Sequence, residues 1–180
     1  NASNGANHSI VSGIHLGNTA PDAEADAATP LDGSGDGAED DGINLPTLNE
    51  GDTSYTIPTS NITATGTGTL HAWLDFDKNG TFEPGEYTSV AVNSGTVAAD
   101  LSWSNITAGA AGDTYARFRF TTDSSINANT PGGTASDGEV EDYQIEIAAN
   151  DGNLSVGSPF TCDSTFYITI GPGGKTNQQL

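Results

Sequence analysis

The sequence predicts an all-β fold, a β-sandwich of short strands, on three observations. Apolar and polar residues alternate with a period of two in several short stretches, as they do where a strand buries one face. Gly occurs 23 times in 180 residues and Thr, Ser, Asn and Asp are abundant, a composition that favours turns. Hydrophobic residues make up only 34% of the chain, so the core must be thin, and no stretch carries a convincing helical period.

The elements follow in chain order. Weaker alternation predicts strands at 9–16, 55–57 and 62–64. In 70–77, Leu70, Ala72, Leu74 and Phe76 share one parity and His71, Trp73, Asp75 and Asp77 the other; Pro84 then blocks a helix. Strands at 88–92 and 96–103 come next. In 115–121, Ala116, Phe118 and Phe120 alternate with Tyr115, Arg117 and Arg119, and 143–147 repeats the pattern. Two of the four basic residues thus share one strand face, where they are expected to anchor carboxylates of acidic loops. Seven or eight short strands with Gly-rich turns favour a sandwich.

Residues 1–149 are expected to form this domain and 150–159, rich in Gly, Ser and Pro, a linker. Residues 160–180 carry a detached C-terminal strand, in which Phe160, Cys162, Phe166, Ile168 and Ile170 share one parity with Ser164. Such a strand must join a sheet: its own, that of a further domain, or that of a neighbouring subunit by strand addition. Those five residues are the expected partner-binding surface, and the expected partner is a second copy of the chain or a neighbouring domain.

With 24 Asp plus Glu against 4 Lys plus Arg, the net charge of −20 repels nucleic acid and anionic lipid. No apolar run reaches the ~18 residues of a membrane-spanning helix. A single cysteine, Cys162, leaves no internal disulfide framework. Stability must come from elsewhere.

Sixteen of the 24 acidic residues fall in three windows, 22–41, 75–86 and 137–142, and such clustering needs a counter-charge. The middle window matches a twelve-residue calcium loop: Asp75, Asp77 and Asn79 at positions 1, 3 and 5, Gly80 for the turn, the Thr81 carbonyl, then Glu83 and Glu86. A hard cation wants about six to eight oxygens, and alternate residues of a tight loop can point inward together. Because a strand precedes it, the loop is not expected to be an EF-hand; the alternative is a polar hairpin turn. In the first window Asp22, Glu24, Asp26, Asp36, Asp40 and Asp41 are interleaved with Gly and Ala and are expected to wrap calcium, against a flexible acidic loop. Asp137 and Glu139 could join a shared site, whereas Glu141 or Asp142 could instead pair with Arg117 or Arg119.

No catalytic site is expected. His8, His15 and His71 make no zinc pattern, no Gly-x-Ser-x-Gly elbow occurs, and the paired carboxylates come bundled with Gly. Trp73, Trp103 and Tyr87 either pack at strand edges or present sugars with a stacking platform.

Taken together, Asp137-Gly-Glu-Val-Glu-Asp-Tyr143, Tyr115-Ala-Arg-Phe-Arg119 and Ala72-Trp-Leu-Asp-Phe-Asp77 with Gly85-Glu86 resemble the GEVED domain of bacterial secreted and surface proteins. His8 to Gly17, then Asp22, Glu24 and Asp26, then Asp40-Asp41-Gly42 are similar to that family's N-terminal strand and acidic loop. The resemblance, over roughly 7–148, implies an extracellular domain of the bacterial cell surface without established catalysis. The resulting expectation is a calcium-binding structural module, a filament subunit self-linked by strand addition; the alternative is a calcium-dependent carbohydrate-binding adhesin module.

Overall fold

Alternation becomes pairing along the chain. In the computed structural model, which describes residues 5–21, 41–150, 168–170 and 174–176, the strands are β1 (Asn7–His8), β2 (His15–Leu16), β3 (Leu48–Asn49), β4 (Ser54–Ile57), β5 (Ala64–Thr65), β6 (Gly68–Leu74), β7 (Tyr87–Asn93), β8 (Thr96–Val97), β9 (Leu101–Ser104), β10 (Gly112–Thr121), β11 (Thr134–Ala135), β12 (Glu139–Ala148), β13 (Ile168–Ile170) and β14 (Gly174–Thr176). Two 3-10 turns, Thr59–Asn61 and Pro84–Glu86, are the helical pieces among the described residues. The fold is all-β, and the chain divides into two units, Asn1–Asn150 and Asp151–Leu180.

In the first unit a curled six-stranded sheet runs β3-β12-β10-β6-β7-β8. All its pairs are antiparallel except β3 with β12, so the sheet is mixed. The long strands β6, β10 and β12 are those whose alternation is clearest. One face buries Leu70, Ala72 and Leu74 of β6, Ala116, Phe118 and Phe120 of β10, and Ile145 and Ile147 of β12. The antiparallel β4–β9 ribbon covers that face, adding Tyr55, Ile57, Leu101 and Trp103 to the same core.

The other face, which carries His71, Trp73 and two arginines, is covered too. Trp73 packs with Ile126 and Ala135, flanked by Phe82 and Tyr87. His71, Arg117 and Arg119 are buried beside them. Irregular backbone between β10 and β12 does the covering: Ala128 O accepts from Trp73 Nε1, Pro131 O from Arg117, and Thr130, Gly132 and Gly133 carbonyls from Arg119. This segment has no period to read.

Two predicted strands divide. The stretch 9–16 yields β2 only at its end, with β1 starting earlier, and 96–103 splits into β8 on the six-stranded sheet and β9 on the ribbon. The split lets the chain change layers at Asp100, whose carboxylate accepts from Thr59 N at 2.7 Å.

In the second unit β13 pairs antiparallel with β14, Ile168 opposite Thr176 and Ile170 opposite Gly174. Gly174 begins the partner strand, so the strand expected to be detached is paired locally over Ile168–Ile170. Phe160, Cys162 and Phe166 lie outside the described residues.

Candidate metal centre

β6 delivers the first acidic loop residue directly from the core. Asp75 follows Leu74; its backbone N–H donates to Tyr115 O at 3.1 Å and its carbonyl accepts from the Thr114 hydroxyl. The side chain is thereby pinned just past the end of β6, only 4% exposed. The chain then reverses through Lys78 (φ 61) and Gly80 (φ 81), the latter in a region that a side chain rarely adopts. Lys78 Nζ ties the turn to the Ala110 and Ala111 carbonyls at 3.2 Å.

The reversal turns backbone amides towards the carboxylates. Asn79 N donates to both Asp75 Oδ1 and Asp77 Oδ1 at 3.0 Å, and Gly80 N donates to Asp75 Oδ2 at 2.9 Å. Pro84, preset for a helical φ, starts the 3-10 turn that returns Glu86 to the site. Glu83 and Glu86 form a reciprocal capping box, with Glu83 N donating to Glu86 Oε2 at 2.9 Å.

Side-chain oxygens of Asp75, Asp77 and Glu86 come within 4.8 Å of one another. Glu86 is 2% exposed, and its Oε1 is buried with no hydrogen-bond partner. Burial, reinforced by Asp75, Asp77 and Glu83 against the Glu83 N–H, pushes the Glu86 carboxyl up to about 7. Asp75 is also raised, by burial and then by Asp77, although the Gly80 and Asn79 N–H groups oppose this. The one ion pair among the described residues, Arg117 with Asp142 at 2.6 Å, lies elsewhere, so these three carboxylates have no basic side chain as counter-ion. A buried acceptor without a donor in an all-oxygen cluster suits a hard cation. The arrangement can hold a metal ion.

Three of the six residues of the predicted loop are therefore gathered. Asn79 Oδ1 accepts from Thr81 N at 2.9 Å and from the Thr81 hydroxyl, while Glu83 is exposed and occupied in the capping box. The third window serves as a clamp. Glu139 Oε2 accepts from Leu16 N at 2.6 Å and Glu141 Oε1 from Gly42 N at 3.1 Å; Tyr143 OH donates to Glu141 Oε2 and accepts from Ile43 N. Asp137 accepts from Thr121 and Thr122, and these hydrogen bonds outweigh its partial burial to lower its carboxyl. Asp41 accepts from Asn18 N and Thr19 Oγ1. Asp22, Glu24, Asp26, Asp36 and Asp40 lie outside the described residues.

Arg117 holds Asp142 through two hydrogen bonds, as the ion-pair alternative has it. Arg119 does not anchor an acidic loop: it donates to three backbone carbonyls and to His8 Nε2 at 2.9 Å. The sequence reading weighs Trp103 only for strand-edge packing or sugar stacking and misses its tie to this site, where its indole N–H donates to Glu86 O at 2.6 Å; no spacing rule links residues 86 and 103. Both tryptophans are buried, so neither offers an indole face to a sugar.

Residues 69–146 match the family model of the GEVED domain. No curated protein and no solved structure matches the chain.

Proposed function

The chain carries a GEVED domain over residues 69–146, and on that premise we propose that it is an extracellular calcium-binding structural module of a bacterial surface assembly, non-catalytic, whose copies join through the C-terminal segment. The observation that carries the calcium reading is Glu86 Oε1, buried and without a donor, beside two further carboxylates. Calcium is favoured because the loop offers only oxygens and spaces them as a twelve-residue calcium loop does. The net charge of −20 adds a general demand for cations. Binding to the folded state alone would stabilise it by about 4 kcal/mol at a thousandfold excess over Kd. Joining through residues 160–180 is supported by their strand alternation and by β13–β14, a two-stranded piece too small to be stable by itself. A glycan-binding role has neither buried tryptophan to rest on.

The test is calcium titration followed by tryptophan fluorescence, since Trp103 is bonded to the Glu86 carbonyl. A saturable change, absent in Glu86→Gln, is expected; an unchanged spectrum with calcium and with EDTA would sink the reading.

A further inference from the structure

We propose that Asn79 is a self-modifying residue, converted by its own loop through a succinimide to aspartate and isoaspartate. Asn79-Gly80 joins an exposed amide side chain to a glycine at which an added Cβ would meet nothing within 4 Å, so the following backbone nitrogen is unhindered. Three contacts supply what the reaction needs. The bond from Thr81 N to Asn79 Oδ1, 2.9 Å, closes a ring that contains Gly80 N and keeps it next to the amide carbon. The Thr81 hydroxyl donates to the same Oδ1, so two donors meet the oxygen on which negative charge develops. Gly80 N–H donates to Asp75 Oδ2 at 2.9 Å, giving its proton a local acceptor.

Gly80 N attacks Asn79 Cγ, passing its proton to Asp75 Oδ2 as the new C–N bond forms. Asp75 returns that proton to solvent, Asn79 Nδ2, exposed and 3.1 Å from Asp77 Oδ2, takes a proton from solvent, and ammonia leaves when the Cγ–Nδ2 bond breaks. Water then opens the ring at either carbonyl. Net, the asparagine amide and water become a carboxylic acid and ammonia, with no oxidant or metal required.

The consequence rests on the proposed cation site. Aspartate at 79 adds a fourth carboxylate to Asp75, Asp77 and Glu86, whereas isoaspartate lengthens the backbone and withdraws the Asn79 and Gly80 N–H groups from Asp75. The loop would thus tune its own cation affinity with age. The full chain, calcium-free and mildly alkaline, is aged folded and in urea, and conversion at residue 79 is followed by peptide mapping that separates aspartate from isoaspartate. A synthetic peptide spanning residues 76–83, aged with and without urea, calibrates the effect of urea. Conversion at Asn79 is expected to be about tenfold faster in the folded protein, and Thr81→Val, which removes one donor, to forfeit most of that gain. Folded conversion no faster than unfolded, after calibration, overturns the proposal, as does undiminished conversion in a folded Thr81→Val. Because these arms contain no calcium, failure of the cation reading, seen as absence of calcium binding by fresh protein, is distinguishable.

Discussion

Arg119 has zero exposure, and its hydrogen bonds among the described residues go to neutral acceptors. Its Nε–H can bond to His8 only if Nε2 carries no proton, so the proton sits on Nδ1, 2.7 Å from Asp137 O. Burial first and the Arg119 charge second lower both His8 and His71 to about 4. At these two histidines the folded protein therefore binds fewer protons than the unfolded chain between pH 4 and 6.5, and their contribution to stability is lost as pH falls through that window. His8→Gln, which keeps an acceptor but cannot titrate, is expected to flatten part of this slope in urea unfolding measured from pH 7 to 4. Glu86 has the opposite sign. Raised from 4.5 to about 7, it costs the calcium-free fold stability as pH rises through that interval. Glu86→Gln should therefore melt above the parent at pH 8 in EDTA and below it in excess calcium, and failure of the two curves to change order would contradict the assigned role.

At the scale of elements, the Asp137 to Tyr143 motif is a clamp. Glu139 and Glu141 project from β12 on the core side and bind backbone N–H groups of Leu16 and Gly42, the described flanks of the acidic segment 22–40. Gly138 precedes them at φ 90, where an added Cβ would lie 1.8 Å from Phe120 O. Gly138→Ala must shift β10 or β12 and is expected to destabilise by roughly 2–4 kcal/mol, read as a fall in the urea midpoint at unchanged slope. The candidate metal loop is likewise a product of its neighbours: β10 holds Asp75 through Tyr115 O and Thr114, and β9 holds Glu86 through Trp103.

For the whole molecule, a net charge of −20 makes self-repulsion a global term. Raising monovalent salt from ~10 to ~150 mM shortens the screening length from about 30 to about 8 Å. The melting temperature of calcium-free protein should rise accordingly, and far less with calcium present. The division at Asn150 makes a second prediction. Removing 151–180 should leave the melting temperature of the first unit unchanged while abolishing self-association in sedimentation or light scattering; association that survives the deletion would place the joining surface elsewhere.

Period-two alternation in 70–77, 115–121 and 143–147, and the oxygen-bearing spacing of Asp75, Asp77 and Glu86, were legible because both are local, carried by residues within about a dozen positions of one another. Burial of the second sheet face was not, because its cover is an aperiodic segment between β10 and β12 that supplies mostly carbonyls, with only Ile126 and Ala135 as apolar side chains against Trp73. The roles of Trp103, Thr114 and Arg119 were hidden for the same reason. Each bonds to a main-chain group or ring brought near only by the tertiary fold, and main-chain groups are chemically alike at every position, so the residue type alone does not reveal which one it meets. The sequence by itself thus determined the β-class and the metal-suited loop, whereas the tertiary structure decided which carboxylates of that loop come together, because that depends on contacts between residues far apart in the chain.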